Sequence, residues 1–275
     1  MIKGKLPYPF QTIALAVSFA PGLSKLVAEL KRLCEIHKAI AVFIHIGKKT
    51  NDKQRELSSI LSTFGFHDGN SRIYWEQGDT VSCILRICKH EVVDLILTGA
   101  SERENFELPV GKISSAIGTK AKCSVLIVKE IPTQGYKIMV VNGVDHRKSD
   151  LTMLTALYFA ENEHTENMFV ADDNSGNVLA ESSANFPDSS FQPDSNQFRE
   201  TLNKTKINVT FFSLEKEHCS SITEYAFKNK ADLIVTNSSD HHLLIFDRIS
   251  TSDGIESLLK DLSCNLFIVH SRISE

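Results

Sequence analysis

One stretch of this chain occurs twice, and that repetition limits the fold more than any other feature. Asp94-Leu-Ile-Leu-Thr98 returns as Asp232-Leu-Ile-Val-Thr236, and Cys123-Ser-Val-Leu-Ile-Val128 returns as Cys264-Asn-Leu-Phe-Ile-Val269. The apolar run from Val92 to Thr98 is too short for a comfortable helix and rich in branched residues, which marks a buried strand. Gly99 ends it, Ile113, Ala116 and Ile117 then keep helical spacing, and Cys123 to Val128 forms the second run. Strand, loop, helix and strand with no hairpin turn make a right-handed crossover between parallel strands. The repeating unit is roughly 130 residues long, about one ordinary domain, so the chain is an internal duplication.

In chain order the first copy reads as strands at Thr12–Val17, Ile40–Ile46, Arg72–Trp75, Val92–Thr98 and Cys123–Val128. Helices fall between them. The first places Leu23, Leu26, Val27, Leu30, Leu33 and Cys34 on one face; the second, with Asn51 or Asp52 as cap, carries Leu57, Ile60, Leu61 and Phe64. Asp79 or Thr80 caps the third, which buries Val81, Ile84, Leu85 and Cys88. The second copy has strands at Tyr136–Val141, Met168–Ala171 and Ile207–Phe212, then the repeated pair, with helical segments at Leu151–Tyr158, Phe198–Leu202 and Ser220–Phe227. Glu130 to Gly135 is the natural linker. The expected architecture is α/β: two tandem doubly wound, five-stranded parallel-sheet (Rossmann-like) domains, residues 1–130 and 136–275, forming an intrachain pseudo-dimer. The two are expected to pack through their final strands, Cys123–Val128 and Cys264–Val269, or through nearby helices. The polar stretch 172–196, rich in Ser, Asn, Asp and Pro, is expected to be the most mobile part of the chain.

Charge narrows the partners. A net charge of −4 over 275 residues, with no basic arm or Lys/Arg stripe, excludes a general nucleic-acid binder. The longest apolar runs have strand length, and no signal peptide opens the chain, so neither a membrane span nor secretion is expected. Six scattered cysteines without a C-x-x-C pair fit reduced thiols in the cytoplasm.

Ligands of open parallel sheets sit beyond the carboxyl ends of the strands, which directs attention to the loop from Gly99 to Lys112. The order of elements, Gln77-Gly78-Asp79 before the third helix, Asp94-Leu-Ile-Leu-Thr-Gly99, the closing Cys123-Ser-Val-Leu-Ile-Val128 and His45 near the end of the second strand together resemble the universal stress protein family in its tandem two-domain form. The resemblance covers essentially residues 10 to 270. It implies a nucleotide site, because nucleotide-binding members carry an Asp at the end of the first strand and G-x2-G-x9-G-[S/T] after the fourth. Glycines there let backbone N–H groups approach phosphates, and a helix N-terminus favours their charge.

On that pattern the first-copy candidates are Ser18, Phe19, His45, Gly99, Ala100, Ser101, Gly111 and Lys112; the second-copy candidates are Asn142, Gly143, Asn237 and Ser252. The pattern is broken in both. Ser18 stands at the Asp position, Glu102 replaces the middle glycine, Lys112 replaces the small hydroxyl, and Glu104 and Glu107 add negative charge. In the second copy Asn142 takes the Asp position, Asn237 the first glycine and Ser252-Asp253 the last pair. The resemblance therefore implies a stress-response or interaction module with degenerate nucleotide sites and no cofactor, working through a protein partner or self-association. The alternative is a regulator that binds ATP or another adenine nucleotide weakly in the first copy.

Other constellations carry less. Gly47-Lys48 and Gly111-Lys112 lack the remaining P-loop residues. Asp240-His241-His242, with His218, has histidines for a metal but no defined ligand set. An enzyme acting on nucleotides or related phosphates is a third reading, and no base, metal set or phosphate clamp for it is visible in the sequence.

Overall fold

A computed structural model describes residues 8–100, 112–133, 135–142, 149–171, 205–213, 217, 221–237 and 262–270. The first half runs β1 (Thr12–Ala16), α1 (Leu23–His37), β2 (Ile40–Ile46), α2 (Asn51–Thr63), β3 (Ser71–Glu76), α3 (Thr80–His90), β4 (Leu95–Gly99), α4 (Lys112–Lys120) and β5 (Ser124–Val128). The second half contributes β6 (Ile138–Asn142), α5 (Ser149–Asn162), β7 (Asn167–Ala171), β8 (Asn208–Phe212), α6 (Ile222–Lys228), β9 (Leu233–Asn237) and β10 (Asn265–Val269). The stretch 172–196 and the helix expected at Phe198–Leu202 lie outside the described residues.

All these strands join one ten-stranded sheet in the order β3-β2-β1-β4-β5-β10-β9-β6-β7-β8. Pairing is parallel within each half and antiparallel where β5 meets β10. There Leu126 lies opposite Phe267, Val125 opposite Ile268 and Ile127 opposite Leu266. The repeat equates Leu126 with Phe267 and Val125 with Leu266. A pseudo-two-fold axis therefore passes through the Leu126–Phe267 pair, as in an isologous dimer.

The strands are apolar on both sides because helices cover both. Ile13, Leu15, Leu95, Leu97, Leu126 and Phe267 face one core; Ala14, Ile96, Val125, Ile127, Leu266 and Ile268 face the other. Adjacent residues alternate between the two, as a pleated strand requires.

Helix ends carry the duplication as well. Lys38, Val92, His164 and Lys230 all have φ between 51 and 54° at the end of a helix. Immediately after each, the N–H of Ala39, Val93, Thr165 and Ala231 donates to the carbonyl five residues back, at 2.9 Å every time. This is a Schellman ending, used to turn each helix back into a strand. Val92 is consequently outside the sheet and exposed, so β4 begins three residues later than its apolar run suggested. Thr50 caps α2 by accepting from the Lys53 N–H, so Asn51 and Asp52 are helical; Asp79 caps α3, as expected.

The aspartate of the repeated motif has a structural task. Asp94 Oδ2 accepts from the N–H groups of Gln11 and Thr12 at 2.8 and 2.9 Å, and Asp232 Oδ2 accepts from Ile138 at 2.9 Å. Each carboxylate thus anchors the start of its half's first strand. Replacing the buried Asp94 by Ala leaves the part-buried N–H groups of Gln11 and Thr12 without their acceptor, at about 1–3 kcal/mol each. Urea unfolding should show a loss of roughly 3 kcal/mol with an unchanged m-value; a loss below about 1 kcal/mol would mean that the anchor is dispensable.

Candidate functional site

The strand order reverses direction between β1 and β4, so the crevice beyond their carboxyl ends is where a ligand of the first half would sit. The residues at that end are largely engaged with one another. Val17, just past β1, donates its N–H to the Ile44 carbonyl at 2.8 Å, and its own carbonyl lies 3.0 Å from His45 Nδ1. His45 Nδ1 therefore carries the proton and donates, leaving Nε2 a buried acceptor with no partner among the described residues.

Three aromatic rings close around this point. Phe19 meets the His45 ring edge-on at 4.8 Å, Trp75 meets it at 5.0 Å, and Phe19 and Trp75 stack at 6.0 Å. Lys53 Nζ lies 5.3 Å from the Phe19 ring centre and Lys49 Nζ 5.7 Å from that of Trp75. Such cation–π contacts contribute about 0.5–1 kcal/mol at exposed sites. Gly47, with φ +152°, lets the chain pass over the imidazole: a Cβ there would stand 3.1 Å from His45 Nε2. Trp75 had shown itself in the sequence only as a strand residue; its position after an apolar-His-apolar neighbour strand was the available signal.

Burial pushes the His45 pKa below its usual 6.5, with the Lys53 charge adding to the effect. His45 is therefore neutral near pH 7. Trp75 is the single tryptophan, and a protonated imidazole in ring contact quenches indole emission. Trp75 fluorescence should hold steady at neutral pH and fall only below 6.5. A midpoint above that value would contradict the packing.

At the phosphate end, Gly99 is not an open cradle. A Cβ at Gly99 would stand 3.0 Å from Leu26 Cδ1, so the side chain of α1 packs where a glycine would otherwise expose bare backbone. The Ala100 N–H donates to the Val128 carbonyl at 2.8 Å. Thr98 and Ser114 hydroxyls lie 3.0 Å apart, and Ser114 donates to the Gly99 carbonyl at 2.8 Å, which ties β4 to α4. Lys112 opens α4 and is exposed, and Ser18 is half-buried. Ser101 and Gly111 lie outside the described residues.

In the second half the register revises one correspondence. Thr12 and Ile138 hold equivalent places, each accepting from the repeated aspartate's N–H. Asn142 is then equivalent to Ala16, not to Ser18, whose counterpart is Val144, outside the described residues. Asn142 is buried, and its Nδ2 donates to Thr236 Oγ1 at 3.4 Å, a bond across the sheet to β9. Asn237 does match Gly99, each ending its strand after the repeated threonine, and it is buried. Gly143, Ser252, His241 and His242 lie outside the described residues. Among those described, no group of three or more His, Cys, Asp or Glu side chains is placed to hold a metal ion. No helix among them is long and apolar enough to cross a membrane.

Residues 11–129 match the profile of the Universal stress protein family. Among solved structures, the chain is similar to a universal stress protein from Archaeoglobus fulgidus DSM 4304, at 14% identity and TM-score 0.61, over 94% of this chain and 96% of that one. It is similar to a putative universal stress protein from Pseudomonas aeruginosa UCBPP-PA14, at 12% identity and TM-score 0.61, over 96% and 94%. A functionally unknown protein from Pseudomonas aeruginosa PAO1 aligns at 12% identity and TM-score 0.63, over 96% and 93%. At these identities the likeness concerns the fold. No curated protein matches the chain.

Proposed function

We propose that this chain, which belongs to the universal stress protein family through residues 11–129 and repeats the same fold in its second half, is a non-catalytic stress-response or interaction module with degenerate nucleotide sites. The observation that carries this reading is the self-filled crevice of the first half. Phe19 just past β1, His45 near the end of β2 and Trp75 near the end of β3 pack on one another, and Leu26 occupies the space against Gly99. Backbone N–H groups are the usual phosphate donors of such a loop. The Ala100 N–H, first after β4, is committed to Val128. In the second half, Asn237 puts a side chain at the place of Gly99. Such a module acts in the cytoplasm through a protein partner or a second copy of itself.

The alternative, a regulator with one weak nucleotide site in the first half, draws support from Lys49 and Lys53, which hold positive charge beside the crevice. Nucleotide content separates the two. Freshly purified protein, denatured and run on an anion-exchange column, should release no stoichiometric adenine nucleotide. Release of one equivalent per chain would favour the regulator.

A further inference from the structure

The joint between the halves contains a buried set of ionisable groups that the proposed function does not use. Arg32 on α1 grips Glu29 of the same helix with two bonds, Nε to Oε2 at 2.8 Å and Nη2 to Oε1 at 2.7 Å. Its remaining Nη1 reaches Glu163, just past α5 in the other half, at 2.5 Å. Tyr136, fully buried at the start of the second half, donates its hydroxyl to Glu29 Oε1 at 3.0 Å, and the guanidinium lies 5.6 Å from its ring centre. Gly135, at φ +76°, leaves room for the contact: a Cβ there would stand 3.1 Å from Glu163 Oε2 and 3.7 Å from Arg32 Nη1.

Charge does not balance in this set. The Glu29 and Glu163 side chains are 1% and 0% exposed, and one guanidinium serves both. Glu163 Oε1 is buried with no partner among the described residues. An ionised, unpartnered oxygen in that position costs far more than a protonated one. Burial outweighs Arg32 and lifts the Glu163 pKa above 4.5, and the Glu29 charge adds to the rise.

The repeat makes the arrangement more specific. Since β1 and β6 match Thr12 to Ile138, position 32 matches 158 and position 37 matches 163. The pseudo-two-fold partner of the Arg32–Glu163 contact is thus Tyr158–His37, and these two residues do meet, Nδ1 to hydroxyl at 3.3 Å. Burial, then the Arg32 charge, push His37 down to about 4. One end of the seam is therefore neutral over most of the pH range, and the charge-bearing end is Glu163 with Arg32.

We propose that this joint is a proton-operated latch: Arg32 is shared between Glu29 and Glu163, and one proton on Glu163 sets how firmly α1 of the first half holds α5 of the second. The groups facing Glu163 are Arg32 and Glu29 from α1 and Tyr136 from the connecting segment, with His37 further along α1 charging only near pH 4. Because the native pKa is raised, the contribution is complete where both states are protonated, below the ordinary carboxylate value. It is lost as pH rises from there through the native pKa. Across that window the folded-to-unfolded ratio should fall by up to about tenfold per pH unit.

Two measurements on the full chain test it. Carbon-13 NMR of the glutamate carboxyls, assigned with Glu163→Gln, should place the Glu163 titration above 4.5. Urea unfolding across the same pH range should show the downward slope in the wild type and its loss in Glu163→Gln. A Glu163 carboxyl that titrates at or below the ordinary value would overturn the latch, whether or not the variant folds. So would a slope that survives in Glu163→Gln.

Discussion

Phe267→Ala should lower the thermal unfolding midpoint by about 10 °C. Phe267 is fully buried on β10, opposite Leu126 at the centre of the pseudo-two-fold seam. Its ring lies 5.1 Å from that of Phe159 on α5 and 6.2 Å from that of Phe10, just before β1, so it touches material from both halves. Truncation to Ala removes the transfer energy of the ring and leaves a cavity that the flanking strands, hydrogen-bonded on both sides, cannot close. Buried Phe→Ala changes cost about 3–5 kcal/mol, and a chain of this size loses roughly 2–4 °C per kcal/mol. The nearby Ile268→Val, which deletes one methylene from the opposite core, should cost only about 1 kcal/mol. Scanning calorimetry distinguishes them. A Phe267→Ala midpoint within a few degrees of the wild type would mean that the seam is held elsewhere.

Much of this fold was legible from the repeat alone. Asp94-Leu-Ile-Leu-Thr98 and its copy located the central strands, and the uniformly apolar final strands pointed to pairing between halves, which β5 and β10 make. What was not legible depends on register and on distant neighbours. The strand β6 is apolar on both faces, so no alternation fixed how Asn142 aligns with the first half; only the hydrogen bonds of Asp94 and Asp232 did so. Glu29 sits on a helix whose apolar stripe explains Leu26, Leu30 and Leu33, and a charged residue beside that stripe implies solvent. It is buried where Tyr136 of the other half donates to it and Arg32 folds back on it, a long-range fact with no local signature. The Phe19–His45–Trp75 cluster is of the same kind: parallel pairing sets His45 of β2 beside Trp75 of β3, and β1 pairs with β2 so that Phe19, three residues past its end, reaches both rings.

The direct test of the self-filled crevice is isothermal calorimetry of ATP with the wild-type chain. To enter, a nucleotide would have to part Phe19 from Trp75 and His45, and its phosphates would meet Leu26 against Gly99 rather than bare backbone. The sequence adds Glu102 where the family pattern has glycine; a carboxylate about 4 Å from a phosphate oxygen repels it by roughly 4 kcal/mol per charge pair at intermediate dielectric. Solvent and nearby lysines reduce that figure, yet a tenfold weakening corresponds to only about 1.4 kcal/mol. Glu102→Gly should therefore improve affinity more than any change around Asn237. For the wild type the expected result is a dissociation constant weaker than about 0.1 mM; one of about 1 µM or tighter, near −8.2 kcal/mol, with ATP in either half, would contradict a self-filled, degenerate site.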